Sequence, residues 1–216
     1  MIKMLFALPQ KIDLAFSGGI DSLVVAHFLA RSKKDLRLWH FNHGCEYSNQ
    51  IEKECRERAD ELGLPIIVSH LNAEKPPRQS QEDFWRKHRY EFLRSSDRHM
   101  MTAHHLNDAV ETWVWSSLHG EGKIIPPQNG NIIRPFLLTS KTDFQDYGQR
   151  HGLKEVEDPF NEDLHVMRNY MRTHVMQHIE HINPGIDKVI RKKYLSLPKI
   201  ELQPLPSTNS SPFKMK

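Results

Sequence analysis

Two stretches of this 216-residue chain hold residue types whose spacing could do chemistry. In Ser17-Gly18-Gly19-Ile20-Asp21-Ser22, adjacent glycines sit between hydroxyl-bearing residues and a carboxylate follows. A turn of this kind at a helix start leaves backbone N–H groups unpaired, where the helix dipole also favours an anion. The glycines let a phosphate come close to the backbone. An acid beside a phosphate implies a cation between them, so Asp21 is the candidate ligand of a magnesium ion. In the second stretch, His104-His105-Leu106-Asn107-Asp108-Ala109-Val110-Glu111, Asp108 and Glu111 stand three apart and share one helix face. Such a pair can receive a cation or take a proton; acids in a first turn also suit the helix dipole with no further role.

Other chemistries fit less well. The cradle is not a Walker A loop, which needs four residues between its glycines and then a lysine. The 14 histidines invite a zinc reading, but neither His40, His43 and Cys45 nor His104 and His105 make the spaced set of four ligands that structural zinc prefers. Cys45 and Cys55 form neither a disulfide framework nor a Cys-x-x-Cys pair, which suits a reducing, cytoplasmic compartment. They also lack the spacing expected of a cysteine-bound iron–sulfur cluster.

The elements that must position these residues alternate. Ile12, Leu14, Ala15 and Phe16 read as a buried strand, and Leu23, Val24, Val25, Phe28 and Leu29 as the helix after the glycine turn. Further strands are expected at 34–42, 65–69 and 100–103, with another around Ile132 and Ile133. Between them fall helices opened by Ser48, by Ser80 and by Asn107; Ser140 caps one more. This alternation predicts an α/β fold with a parallel sheet covered on both faces, and ligands beyond the carboxyl ends of its strands. Residues 120–130 form a long loop over the site or a mobile one. The pattern from 161 to 194 is helical, broken at Asn183-Pro184-Gly185. The expected division is a first domain at 1–138, a helical appendage at 139–196 and a disordered tail at 197–216. No apolar run approaches a membrane span, and residues 1–8 are too short for a signal peptide core. The net charge of +3 does not by itself argue for nucleic acid. Its distribution is uneven, because Arg168, Arg172, Lys188, Arg191, Lys192 and Lys193 face only Glu180 and Asp187. That is either a phosphate-binding face or a solvated basic helix.

The glycine stretch resembles the Ser-Gly-Gly-x-Asp-Ser signature of the PP-loop ATP pyrophosphatases. The second stretch, Thr102-Ala103-His104-His105-x-x-Asp108-x-x-Glu111-Thr112, resembles the second signature of the tRNA(Ile)-lysidine synthetases, a PP-loop family. His40-Phe41-Asn42-His43-Gly44, Arg86-Lys87-His88-Arg89-Tyr90, Arg134-Pro135-Phe136-Leu137, Glu157-Asp158-Pro159-Phe160-Asn161 and Arg168-Asn169-Tyr170-Met171-Arg172 resemble further elements of that family, in order. The resemblance implies a parallel-sheet PP-loop domain of the adenine nucleotide alpha hydrolase type with a small helical appendage. It also implies ATP and Mg2+ as cofactors, and tRNA (that for isoleucine) and free L-lysine as partners. Such an enzyme adenylylates the wobble cytidine at carbon two of the base, after which the lysine ε-amine displaces AMP to form lysidine. By the same resemblance Ser17, Gly18, Gly19, Asp21, Ser22, His43 and Arg89 would bind the nucleotide. His105, Asp108, Glu111 and Asn169 would bind substrate, and Asp21, Asp108, Glu111, Arg168 and Arg172 would carry the catalysis.

Three features depart from the family pattern. Asn107 stands where a second aspartate is usual, His119-Gly120-Glu121-Gly122 replaces an Arg-Gly-Ser-Gly-like turn, and Trp85 replaces an alanine. Members usually carry further C-terminal domains that hold tRNA, and this chain ends soon after the first. A PP-loop ligase with another acceptor, and a nucleotide- or tRNA-binding protein with little catalysis, are the alternative expectations.

Overall fold

A computed structural model describes residues 1–156 and 167–205, apart from the side chain of Arg168. Strands β1 (Lys11–Ala15), β2 (Asp35–Asn42), β3 (Ile66–His70), β4 (His99–Met101), β5 (Gln128–Asn129) and β6 (Ile132–Ile133) form one sheet in the order β3-β2-β1-β4-β6-β5. Every neighbouring pair is parallel except β5 and β6. The helices are α1 (Ile20–Ala30), α2 (Ser48–Glu61), α3 (Gln81–Arg94), α4 (Leu106–Leu118) and α5 (Lys141–Arg150), followed by α6 (Met167–Tyr170), a π-type turn at Met171–Val175, α7 (Met176–Ile182) and α8 (Ile186–Leu195).

The period-two alternation of the strands sorts the core into two faces. Ile12, Leu14, Leu36, Leu38, Met101 and Ile133 point to the side covered by α1, α2 and α5. Trp39, Phe41, Met100 and Ile132 point to the side covered by α3. A third cluster joins α4 to α8 and to Met171 and Met176, with Leu137 and Leu138 between them. Burial on both faces makes Asp13, in the middle of β1, an exception. The register sets it opposite Arg37 of β2. Arg37 donates from Nε and Nη2 to the two Asp13 oxygens at 2.7 Å each, and the Ser96 hydroxyl adds a bond of 2.6 Å. A fully buried carboxylate needs such partners to be tolerated.

Local signals set several helix starts. Ser80 and Ser140 accept hydrogen bonds from the Asp83 and Asp143 N–H groups, as N-cap serines do. Two expected caps differ. Ser48 lies inside α2, its Oγ accepting from the Cys45 N–H at 3.1 Å, and Tyr47 holds the cap position. α4 begins one residue before Asn107, with His105 as its cap, because His105 and Asp108 bond each other's backbone N–H. The loop expected over 120–130 ends in β5, which pairs with β6 at the sheet edge. The expected tail is described only as far as Leu205: Leu202 packs on the core, and the Gln203 N–H donates to Gln128 Oε1 at 2.9 Å. Residues 206–216, and the 157–166 stretch holding the Glu-Asp-Pro element, lie outside the described residues.

Candidate active site

The loops leaving the carboxyl ends of β1 and β4 bring the two chemical stretches together. After β1 the chain turns through Gly18 at φ +86°, a conformation that favours glycine. A side chain there would also meet Cys55 Sγ and Val156 Cγ2 at 2.9 Å. The Ser22 hydroxyl donates to Gly19 O at 3.0 Å and lies 3.3 Å from Ser17 Oγ, which ties the loop across its mouth. Gly19, the cap position of α1, has no side chain to close the helix start. The Ile20 N–H that begins the helix donates instead to Glu155 Oε2 at 3.1 Å. A carboxylate therefore stands at the helix start, where a phosphate would be stabilised.

Asp21 faces the second stretch. Its carboxylate accepts bonds of 2.8 and 2.9 Å from Lys141 Nζ, and His105 Nε2 lies 3.6 Å away. Burial pushes the Asp21 carboxyl up, but His105 and Lys141 together outweigh it, so its pKa sits below the ordinary value. The Asp108 N–H donates to His105 Nδ1 at 3.4 Å, and the other ring nitrogen, Nε2, is turned toward Asp21. On the next turn, Glu111 accepts from Arg172 Nε at 2.8 Å and Nη2 at 2.9 Å, and Nη2 reaches Asp108 Oδ1 at 3.3 Å. These bonds to Glu111 raise the Arg172 pKa further, burial opposing them. Among the described residues the carboxylates of Asp21, Asp108 and Glu111 thus meet the cations of Lys141 and Arg172.

Asn107, the position that departs from the family pattern, accepts the Lys141 backbone N–H on Oδ1 at 2.9 Å. Its amide oxygen does there what a carboxylate oxygen would, and it seats the start of α5. Lys141 was not among the residues singled out by sequence. It occupies the first turn of a helix, where a cation is disfavoured by the dipole. That local conflict was the available signal, and Asp21 resolves it. Glu155 was also missed, because nothing in its neighbourhood announces a partner in the glycine turn.

Of the remaining expected residues, His43 follows β2, Arg89 stands on α3 and Asn169 on α6. His43 packs between Trp85 and Phe41. Burial, then the Arg89 and His40 charges, push its pKa down to about 3, so it is neutral at pH 7. Its Nδ1 is buried without a hydrogen-bond partner among the described residues. Asn169 lies half-buried on α6, and the Arg168 side chain lies outside the described residues. His40 Nδ1 donates to Phe16 O at 2.9 Å and binds β2 to the start of the glycine turn. Burial, with Glu54 and Glu52 adding, pushes the Cys55 thiol up to about 12, which keeps it protonated against Gly18.

Among the described residues no group of three or more His, Cys, Asp or Glu side chains is arranged to hold a metal. Asp21 offers one carboxylate and precedes Ser22, whose hydroxyl lies 3.3 Å from that of Ser17. Magnesium is commonly held by one or two carboxylates with the rest of its shell from substrate phosphates and water. The residues present fit an ion that arrives with a nucleotide better than a resident cage.

A parallel sheet with a glycine-rich anion turn and an acidic counter-site at adjacent strand ends defines a PP-loop domain. The family model described as PP-loop domain matches residues 3–179, and the chain belongs to that family. Within it, curated relatives named tRNA(Ile)-lysidine synthase resemble the chain: that of Persephonella marina is 32% identical over 196 residues, covering 82% of this chain and 43% of the relative. That of Coxiella burnetii is 30% identical over 195 residues, covering 83% and 43%. The chain thus spans less than half the length of these relatives. Among solved structures, the U34-tRNA thiolase NcsA of Methanococcus maripaludis matches with a TM-score of 0.68 at 17% identity, covering 95% of this chain and 78% of that one, a likeness of fold.

Proposed function

We propose that the chain is an ATP-dependent, AMP-forming ligase that adenylylates a tRNA cytidine and joins lysine to it. The observation that carries this reading is the position of His105, whose ring lies 3.6 Å from Asp21 and 3.4 Å from Asp108. One imidazole thereby links the anion turn to the acidic pair, so a nucleotide in the first lies beside an amine in the second. The kinship with lysidine synthases supports the choice of acceptor and amine.

In the first step the base oxygen on carbon two attacks the α-phosphorus of ATP, and the bond to the bridging oxygen breaks to release pyrophosphate. Magnesium bound with the nucleotide would neutralise that leaving charge. The backbone N–H groups of the glycine turn and the Lys141 ammonium stabilise the same charge. In the second step the lysine amine attacks carbon two, and the carbon–oxygen bond breaks to release AMP. Asp108 and Glu111 hold the incoming ammonium, and one of them takes the proton it must lose to become a nucleophile. Arg172 sets the geometry of that pair and can turn one face to the lysine carboxylate.

Incorporation of labelled lysine into bulk bacterial tRNA, with parallel assay of pyrophosphate, tests the reading. Labelled tRNA that requires ATP, and is lost in Asp108→Ala with Glu111→Ala, is the expected result. Pyrophosphate without labelled tRNA would point to another acceptor, and activity surviving the double substitution would overturn the amine pocket.

A further inference from the structure

Helix α8 is anchored along one side and unpaired along the other. Ile186, Ile190 and Tyr194 are buried against α4 and its neighbours. The Tyr194 hydroxyl donates to Ile125 O at 2.9 Å, and Arg191 Nη1 donates to Leu138 O at 2.8 Å. Lys188, Lys192 and Lys193 are exposed on the outer side, and among the described residues none of them has an ion pair or side-chain hydrogen bond. The helix carries a single acid, Asp187.

The contrast with α2 separates this from an ordinary solvated helix. α2 is as rich in charge, yet Lys53 pairs with Glu57, Arg56 with Glu52 and Arg58 with Glu61. Its charges cancel locally, whereas those of α8 add. Lys188 and Lys192, four apart, project from the same face, about 6 Å apart along the helix axis. Val189 and Leu195, 44% and 64% exposed, lie among them as apolar surface. A rigid platform of one sign with interleaved apolar groups complements a polyanion.

Its position also matters. Ile186, Ile190 and Tyr194 share one cluster with Leu106, Ala109 and Val110 of α4, the helix that carries Asp108 and Glu111.

We infer that Lys188, Lys192 and Lys193 form a landing surface for RNA backbone phosphates, which holds the acceptor while its base enters the site between Asp21 and Asp108. The inference rests on the reading that the acceptor is tRNA. It adds a surface of the chain's own that contributes to holding that acceptor.

The test is binding of end-labelled bulk tRNA to the full chain between about 50 and 200 mM salt, the range over which phosphate contacts are lost. The triple variant Lys188→Glu, Lys192→Glu, Lys193→Glu is compared with a triple arginine variant. The glutamate variant is expected to bind at least tenfold more weakly, with a salt slope shallower by about 2 to 3. The arginine variant keeps both, and ATP binding stays unchanged in each as the check on folding. Wild-type binding with the glutamate variant unaltered would overturn the surface and leave the tRNA reading standing. Failure of the wild type to bind any tRNA would overturn the tRNA reading itself. Loss of binding to phosphatidylserine vesicles with tRNA binding intact would assign the face to a membrane instead.

Discussion

Lys141 Nζ lies 2.8 and 2.9 Å from the two carboxylate oxygens of Asp21, across 120 residues of sequence. The contact places a cation at the mouth of the anion turn, where it is available to a departing pyrophosphate. Lys141→Met is expected to slow pyrophosphate release roughly 100-fold, the scale at which loss of one preorganised donor acts. Because the Lys141 side chain is one-third exposed, the urea midpoint should barely move. Steady-state rates and urea unfolding of the same preparation check both halves, and a full rate in Lys141→Met would limit Lys141 to balancing Asp21.

Glu155 is expected to act on the nucleotide in the opposite direction. Its carboxylate takes the Ile20 N–H at 3.1 Å, a donor that an incoming phosphate would use. Glu155→Gln removes a charge that repels ATP from the helix start. Its ATP affinity should rise roughly 2- to 5-fold, which is the ratio expected for about 0.3–1 kcal/mol at a helix terminus. Titration calorimetry measures this directly. Weaker binding in the variant would make Glu155 part of the nucleotide site.

The two glycines of the turn separate packing from ligand approach. Gly18→Ala places a Cβ 2.9 Å from Cys55 Sγ and Val156 Cγ2, at a φ of +86°. It should cost about 1–3 kcal/mol of stability as well as ATP binding. Gly19→Ala meets nothing nearer than 3.6 Å, at a φ of −61°. It should stay within about 1 kcal/mol of wild type, so a loss of ATP affinity there reports on the close approach of phosphate. Thermal unfolding and ATP titration of both variants separate the effects.

Acid should weaken the fold through His43. Its folded-state pKa of about 3 lies below the ordinary 6.5. Between those values the unfolded chain binds the proton and the folded chain does not, so stability falls as pH drops from about 6.5 toward 3. His40, also held below its ordinary value chiefly by burial, acts in the same direction. Urea unfolding at pH 7 and pH 5 should show the decline. His43→Phe should reduce the difference and leave the share owed to His40, and an unchanged difference would show that His43 does not titrate in this way.

Local interactions were legible in the sequence. The strand, glycine turn and helix from Ile12 to Leu29 depend on neighbours, as do the caps at Ser80 and Ser140 and the shared face of Asp108 and Glu111. Alternation of strands and helices was enough to expect a parallel sheet and a site at its carboxyl edge. His105 was expected at the site, but its capping of α4 in place of Asn107 depends on a reciprocal bond with Asp108 that residue types alone leave open.

The rest was decided by tertiary structure, because its partners are far apart in the chain. Strand register brought Arg37 to Asp13, and the packing of α5 on α1 brought Lys141 to Asp21. The return of the chain at Val156, whose N–H donates to Gly18 O, set Glu155 at the helix start. The crossing of the C-terminal helices over α4 brought Arg172 to Glu111. Sequence determined which residues could do chemistry, since side-chain type and helical spacing are local properties. Only folding decided which charges would neutralise one another, since a charge is balanced by whatever lies within a few ångströms of it in space.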